Sequence, residues 1–348
     1  EEATDTRAEV VTNAPITIRR MFVTGERFIM ALGTSTPMTV EWPDQDDITD
    51  WTPGPTDSAN IRTLRSGSKL MGGTEYADLV NLVWTDTSLY LMQYTGSEFI
   101  YEDRVVGLNC GLAAPGAFCI TKGIAFWMSN GDFHMYAGSV QSIPNVTDIR
   151  SFVFRDLDGG RTGKTWCMYN AKADAVIWCY VSNDSPDGEP DKYVKVALDT
   201  YAWDVGSIDR TTGTLFRPSD GSMLMVDASG VIWEHEVGAN ADGGALASRV
   251  RSGLFVLADG DINLDIMGFV PDTQRQSGDL SLIVRTRDRP NAPDFLEEST
   301  TTIAEGDAIA DLRIEGRHFD YEIESNAIDG DFRLGIPGFE IQPSGARR

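Results

Sequence analysis

"NLVWTDTSLYLMQYTGS", residues 81–97, and "GIAFWMSNGDFHMYAGS", residues 123–139, say nearly the same thing. Each reads as an apolar strand with Trp at its end, a short polar turn, a second strand alternating apolar and polar residues, and then Gly-Ser. "ADAVIWCYVSNDSPDG" (173–188) again offers an apolar strand with a Trp. "GSMLMVDASGVIWEHEVG" (221–238) gives two strands around the turn Asp227-Ala228-Ser229-Gly230. The anchors Trp84, Trp127, Trp178 and Val226 stand 43, 51 and 48 residues apart. An earlier copy is "RFIMALGTSTPMTVEWPDQDDITDW", in which Phe28 to Leu32 and Pro37 to Trp42 form the strand pair.

A loose period in the forties, holding about four short strands, is the arithmetic of a β-propeller blade. One such sheet cannot bury both faces alone, so neighbours must pack face to face. The repeated tryptophans Trp84, Trp127, Trp178 and Trp233 are then expected as core filler between blades rather than as a ligand platform. Five blades are visible at most over residues 1–240. The first part is expected to be incomplete, with a sixth blade finished by a missing N-terminal segment. No stretch of a dozen residues shows helical periodicity with a cap, so the expected class is all-β.

Near residue 240 the text changes. "GANADGGA" (238–245) reads as a linker, and no Lys occurs beyond it. From 246 to 348 strands are expected at "SRVRSGLFVLA", "INLDIMGFV", "LSLIVRTR", "DLRIEGRHFDYEIES" and "DFRLG", the last pair joined by Asn326 to Gly330. About a hundred residues of this pattern predict a C-terminal β-sandwich domain.

The 348 residues carry 53 acidic and 29 basic side chains, a formal charge of −24. Such a surface repels nucleic-acid phosphate, which disfavours a DNA-gripping role. No apolar run approaches the ~20 residues of a membrane span, so no membrane anchor is expected. The four cysteines, Cys110, Cys119, Cys167 and Cys179, lie in or near strand-like text without CxxC spacing, and buried free thiols are expected.

Chemistry-bearing motifs are sparse. His134, His235 and His318 have no second His at ligand spacing. "GGRTGKT" (159–165) echoes a phosphate loop but lacks the earlier Gly, the leading strand and the following helix. The Asp-rich stretches 44–50, 183–191 and 259–265 read as solvated turns, because none has the twelve-residue calcium-loop pattern. "SNGDFHMY" is a poor copy of the Asp-containing sialidase turn. Catalytic residues, cofactors and metals are therefore expected to be none, and the chain is read as a non-enzyme.

Residues 81–157, "NLVWTDTSLYLMQYTGSEFIYEDRVVGLNCGLAAPGAFCITKGIAFWMSNGDFHMYAGSVQSIPNVTDIRSFVFRDL", resemble the tail nozzle proteins of short-tailed bacteriophages. These are also called tail tubular protein B or packaged-DNA stabilisation proteins. "MALGTSTPMTVEWPDQDDITDWTP" (30–53), "HFDYEIESNAIDGDFRLG" (318–335) and "QPSGARR" (342–348) fit the same picture. The resemblance implies a virion tail protein assembled in the cytoplasm of the infected bacterium. It implies a propeller subunit in a homohexameric ring below the portal and adaptor, with tail fibre proteins beside it, that retains packaged DNA and forms the conduit for its ejection. Double-stranded DNA would pass without sequence-specific binding.

The acidity suits that setting. An acidic lumen keeps a sliding polyanion centred, whereas Lys and Arg contacts to phosphate would slow it. Asp44, Asp46, Asp47 and Asp50 are the candidate lumen or loop carboxylates. Arg285 to Arg289 and the terminal Arg347-Arg348 are candidates for contacts with neighbours. The alternatives are a host-surface or glycan-binding propeller, marked by exposed aromatics and Arg at one mouth, and a propeller glycosidase, marked by a convergent carboxylate pair.

Overall fold

The computed structural model describes residues 10–55, 57–97, 99–217, 219–256 and 262–346. Two compact units follow one another, Glu1–His235 and Glu236–Arg348. The division falls just before the Gly- and Ala-rich stretch read as a linker. That stretch folds with the second unit, where Asn240 Nδ2 donates to Asp329 Oδ1 at 2.6 Å and Asn240 Oδ1 accepts from the Asp329 amide at 2.7 Å.

In the first unit, four antiparallel sheets run in chain order, each a four-stranded meander. Sheet 1 holds β1 (Arg20–Val23), β2 (Ile29–Leu32), β3 (Thr39–Trp42) and β4 (Asn60–Thr63). Sheet 2 holds β5 (Leu70–Ala77), β6 (Val80–Thr85), β7 (Ser88–Tyr94) and β8 (Tyr101–Leu108). Sheet 3 holds β9 (Phe118–Thr121), β10 (Ile124–Met128), β11 (Phe133–Tyr136) and β12 (Val140–Ser142). Sheet 4 holds β13 (Trp166–Asn170), β14 (Ala175–Tyr180), β15 (Lys192–Ala197) and β16 (Trp203–Ser207). A fifth, three-stranded sheet holds β17 (Thr212–Arg217), β18 (Ser222–Val226) and β19 (Ile232–His235).

The repeated sequence phrase is the two middle strands of each sheet. In sheets 2 to 4 the second strand is covered on both faces, so its text is densely apolar: β14 is buried at all six positions. The outer strands are half-exposed and carry no common wording; β12 and β16 are examples. Short-range polar chemistry sets the turns. Asp227 Oδ1 accepts from the amides of Ser229 and Val231 and from Ser229 Oγ, closing the β18–β19 hairpin with Gly230 at φ +87°.

One element departs from the all-strand expectation, the helix α1 (Thr147–Asp156). It has ten residues and buries only Val153 among them, so no apolar stripe advertises it. The first residue before it, Val146, offers no side-chain cap.

Cores lie between successive sheets. Phe28, Met30, Leu32 and Trp42 of the first sheet region meet Val83, Tyr90, Met92 and Tyr101 of the second. Leu82 and Trp84 share a core with Trp127, Phe133, Trp178 and Val194 across sheets 2, 3 and 4. Trp166, Met168 and Ile177 pack on Met223 and Met225 between sheets 4 and 5. There Gly213 lies so close that an added Cβ would sit 2.9 Å from Trp166 Cη2, which is why glycine takes the second position of β17.

In the second unit, β20 (Asn240–Ala241) and β21 (Gly244–Ala245) form a small pair. They precede β22 (Ser248–Arg251), β23 (Phe255–Val256), β24 (Ile262–Val270), β25 (Thr273–Ser277) and β26 (Leu280–Arg287). Then come β27 (Glu297–Ile303), β28 (Ala310–Gly316), β29 (His318–Ser325), β30 (Asp331–Leu334) and β31 (Gly338–Ala346). One sheet runs β22-β29-β26-β27, with β23 also on β29; a second runs β28-β24-β31. Their facing sides share one core of Leu264, Ile266, Phe269, Leu282, Val284, Leu312, Phe319 and Ile323.

Strands β24 and β26 occupy the runs read from the sequence. "DFRLG" does not pair with the strand before it, however: β30 pairs β25, while β29 is taken by β22, β23 and β26. Strands β25, β27 and β31 went unread because polar runs such as "TQRQS" and "EESTTTI" lack an apolar alternation.

Candidate functional site

The acidic loop between β3 and β4 begins at Asp44. Asp44 is half-buried; its Oδ2 accepts from the Ser58 amide at 2.7 Å and from Ser58 Oγ at 3.1 Å, and its Oδ1 accepts from the Asp46 amide at 3.0 Å. These bonds, led by the Ser58 amide, hold its carboxyl below the usual 3.8. Asp47 Oδ1 accepts from Thr49 Oγ1 at 2.6 Å and from the Thr49 amide at 2.8 Å, which lowers its pKa in the same way. Asp50 Oδ1 takes the Thr52 amide at 3.1 Å, and exposed Asp46 faces Arg27 at 3.8 Å.

The loop is stitched to the neighbouring β1–β2 turn. Gln45 Nε2 donates to the Glu26 carbonyl at 2.8 Å, and Glu26 Oε2 accepts from Tyr101 OH at 3.0 Å. One end of sheet 1 thus carries Glu26 and four aspartates on a loop fixed by its own hydrogen bonds. All four expected loop carboxylates sit together, with Asp44 and Asp47 held ionised. The same bonds occupy them as turn formers, and among the described residues no three His, Cys, Asp or Glu side chains are grouped to hold a metal ion.

A basic cleft, unread in the sequence, lies beside this loop's outgoing strand. Arg62, Arg65, Tyr90, Asp103 and Arg104 line about 610 Å³ between β4 and β8. Arg62 Nε meets Asp103 Oδ1 at 2.7 Å. Arg62 on β4 and Arg104 on β8 stand 42 residues apart, so no local motif signals it.

Trp84, Trp127 and Trp178 are fully buried on the second strand of sheets 2, 3 and 4. Trp127 Nε1 donates to the Cys110 carbonyl at 2.7 Å and Trp178 Nε1 to the Ala117 carbonyl at 3.1 Å, so the loops between sheets are tied to the core. Trp233 does not join them. It is half-buried on β19, with Nε1 donating to Asp227 Oδ2 at 2.7 Å and the Arg210 guanidinium 4.9 Å over its ring. The fifth sheet has no fourth strand among the described residues, and this leaves its last strand uncovered.

The histidines serve local structure. His134 Nε2 lies 3.1 Å from Ser129 Oγ, but Ser129 Oγ donates to the Asp132 carbonyl and both side chains are buried. Burial pushes the His134 pKa down. Arg210 Nε donates to His235 Nε2 at 2.9 Å. In "GGRTGKT", residues Thr162–Lys164 form a 3-10 turn, and Lys164 donates to the Gly188 carbonyl at 2.8 Å and pairs with Glu189. That lysine is spent on a neighbouring loop rather than aimed at a phosphate. Cys110 and Cys179 are buried free thiols; Cys119 and Cys167 are free and part-buried.

In the second unit, His318, Asp320, Glu322 and Glu324 alternate along β29 opposite the core side chains. Asp320 and Glu322 are each 5% exposed. Arg285 Nη1 meets Glu322 Oε2 at 2.7 Å and Asp320 Oδ1 at 3.6 Å, while Arg251 Nη2 meets Asp320 Oδ1 at 3.1 Å. The Arg285 bond is the main reason the Glu322 pKa falls below its ordinary value. The arginines expected to reach neighbours are thus engaged within their own sheet at Arg285, and Arg287 donates to the Ala292 carbonyl. Arg347-Arg348 and the first half of the Asp-rich stretch 259–265 lie outside the described residues.

No family model matches the chain, and no curated protein matches it. Among solved structures, it is similar to the extracellular domain of a putative hybrid two component system from B. thetaiotaomicron. The TM-score is 0.37 at 8% identity, over 86% of this chain and 50% of that one. The chain therefore spans about half the length of that domain. A glycoside hydrolase is similar at TM-score 0.23 and 9% identity, over 92% of this chain and 83% of that one.

Proposed function

We propose that the chain is a structural subunit of a bacteriophage tail nozzle, a ring that retains packaged DNA and conducts it during ejection. On this reading the five sheets are propeller blades and the second unit is a β-sandwich. The observation that carries it is the acidic loop: Asp44 and Asp47 are held ionised by fixed hydrogen bonds on a repeated-sheet scaffold in a chain of charge −24.

A fixed negative rim repels duplex phosphate without binding it, and at physiological salt that field reaches about 8 Å, so it acts only on DNA confined nearby. The meander sheets with apolar contact faces supply the stiffness a conduit needs. The resemblance of residues 81–157 to tail nozzle proteins covers β6 through α1, the part of the chain with the most continuous core.

The test is DNase protection in particles assembled with and without the chain. Particles containing it are expected to keep their DNA, and particles lacking it to lose most of it. Equal protection in both would overturn the proposal.

A further inference from the structure

In the second unit the sheet β22-β29-β26-β27 ends at β22, but the apolar face continues past it. Val250 pairs Ile323 and so shares the core face, yet it is 45% exposed. Leu246, just before the strand, is 54% exposed. Both line an open cleft of about 1080 Å³, together with Tyr321 and with Phe332 and Leu334 of the β25–β30 pair. Tyr321 is 8% exposed, its ring packed against Phe269 and Phe339. Among the described residues its hydroxyl has no hydrogen-bond partner. A nearly buried hydroxyl without a partner, on the wall of an apolar cleft, is available to whatever enters.

The backbone of β22 is open on the same side. The Ser252 amide donates to the Tyr321 carbonyl, which makes these two a hydrogen-bonded pair. Antiparallel pairs alternate, so Val250–Ile323 is bonded too, while Arg249 and Arg251 turn their N–H and C=O groups away from β29. Among the described residues no strand takes those groups. The two arginine side chains lie on the face opposite Val250, Arg249 3.6 Å from Glu322 and Arg251 3.1 Å from Asp320. Arg285 of β26 meets Glu322 from the other side. Charge on this face therefore alternates strand by strand, basic on β26, acidic on β29, basic on β22.

We propose that an extended segment of another protein, with apolar and acidic residues in alternation, adds to the sheet as a strand beside β22. Its main chain bonds to the outward groups of Arg249 and Arg251. The side chain opposite Val250 enters the cleft, and acidic side chains opposite the arginines carry the charge alternation one strand further. Of the acids nearby, Asp320 and Glu322 are paired with arginines of this sheet and Asp331 with Arg275. Glu324, across from Arg249, lies on the far side of β22 from the incoming strand. Exposed Arg333, on the cleft wall, has no carboxylate partner among the described residues. A strand fits where a compact ligand does not, because the bonding groups and the cleft run along one edge. The site stands whether or not the first unit lines a channel.

Fluorescence anisotropy of the full chain with a labelled peptide of alternating Val and Glu, about eight residues long, tests it. Saturable binding is expected, at least about tenfold tighter than that of the same peptide with Lys in place of Glu. Only one edge of the peptide meets β22, so N-methylation is expected to remove binding at one set of amides, Glu or Val, and to spare it at the other. Arg249→Pro deletes an outward N–H without touching a ladder bond; it is expected to keep the parent circular dichroism spectrum and to weaken binding at least about tenfold. Arg249→Ala, which keeps the amide, is expected to bind more tightly than Arg249→Pro. No saturable binding at millimolar peptide overturns the proposal, as does equal loss from both N-methylated sets. If the parent chain self-associates and Arg249→Pro abolishes this, a second copy fills the edge and the separate partner is refuted.

Discussion

Trp84 and Trp127 meet edge to face, their ring centroids 5.7 Å apart and their planes at 64°, although they belong to different sheets and lie 43 residues apart in the chain. The pair shows what the repeated wording is for: sheets 2, 3 and 4 each carry the same large ring on the second strand, packed in the core between neighbouring sheets. Removing one ring should leave a cavity in a core that cannot collapse around it. Trp127→Ala, which also frees the Cys110 carbonyl, is expected to cost about 3–5 kcal/mol. Trp233→Ala, at a half-buried ring held by Asp227 and Arg210, is expected to cost about 1–2 kcal/mol. All eight tryptophans lie in the first unit, so urea unfolding followed by the remaining tryptophan fluorescence reads this difference directly.

The charge row on β29 makes the second unit acid-sensitive. Hydrogen bonding from Arg285 holds the Glu322 pKa below its ordinary 4.5. Its stabilisation is therefore fully present above that value and is lost as pH falls through the folded-state value. Amide hydrogen exchange in β26 and β29 is expected to accelerate on acidification below about pH 4.5 in the parent, and to change less in Glu322→Gln. Arg285→Ala leaves two buried carboxylates short of a partner and is expected to cost about 3 kcal/mol at neutral pH, less acid-dependent than the parent.

The loop carboxylates should titrate late. Carbon-13 carboxyl NMR is expected to place the midpoints of Asp44 and Asp47 below 3.8, so the loop keeps its negative charge after ordinary aspartates have begun to protonate. Ser58→Ala removes one donor to Asp44 while leaving the backbone amide, and is expected to move the Asp44 midpoint part of the way back towards 3.8. No change at Asp44 would mean the amides alone fix its charge.

How far the sequence could be read follows from where side chains are covered. The middle strands of sheets 2 to 4 were legible because burial forces apolar text with Trp84, Trp127 and Trp178 at matching places. Their outer strands were not, since one exposed face permits any polar residue. Helix α1 was missed because it buries a single valine among its ten residues. Grouping Trp233 with the core tryptophans went astray because a Trp in an apolar run looks the same whether or not a further strand covers it. The acidic loop was legible as a run of Asp; its hydrogen bonds to Ser58 and the Glu26 turn were not, because those partners lie 14 and 19 residues away from the groups they bind. The basic cleft needed β4 and β8 side by side, which no local spacing announces.

The thiols are expected to be inert in the folded chain. Burial pushes Cys110 up to about 11 and raises Cys167 and Cys179, and the thiolate is the reactive form. A chromogenic disulfide reagent at pH 8 is expected to label Cys110, Cys167 and Cys179 only slowly, then to titrate all four cysteines once urea unfolds the chain. Fast labelling of Cys179 in the folded state would contradict its place between sheets 4 and 5.

Electron microscopy of the purified chain, alone and mixed with an adaptor–portal complex of its phage, tests the nozzle account most directly. The account expects rings with six-fold symmetry, or a stack on the adaptor, with an axial channel and the 44–50 loop facing it. A chain that stays monomeric and never joins the stack would contradict it.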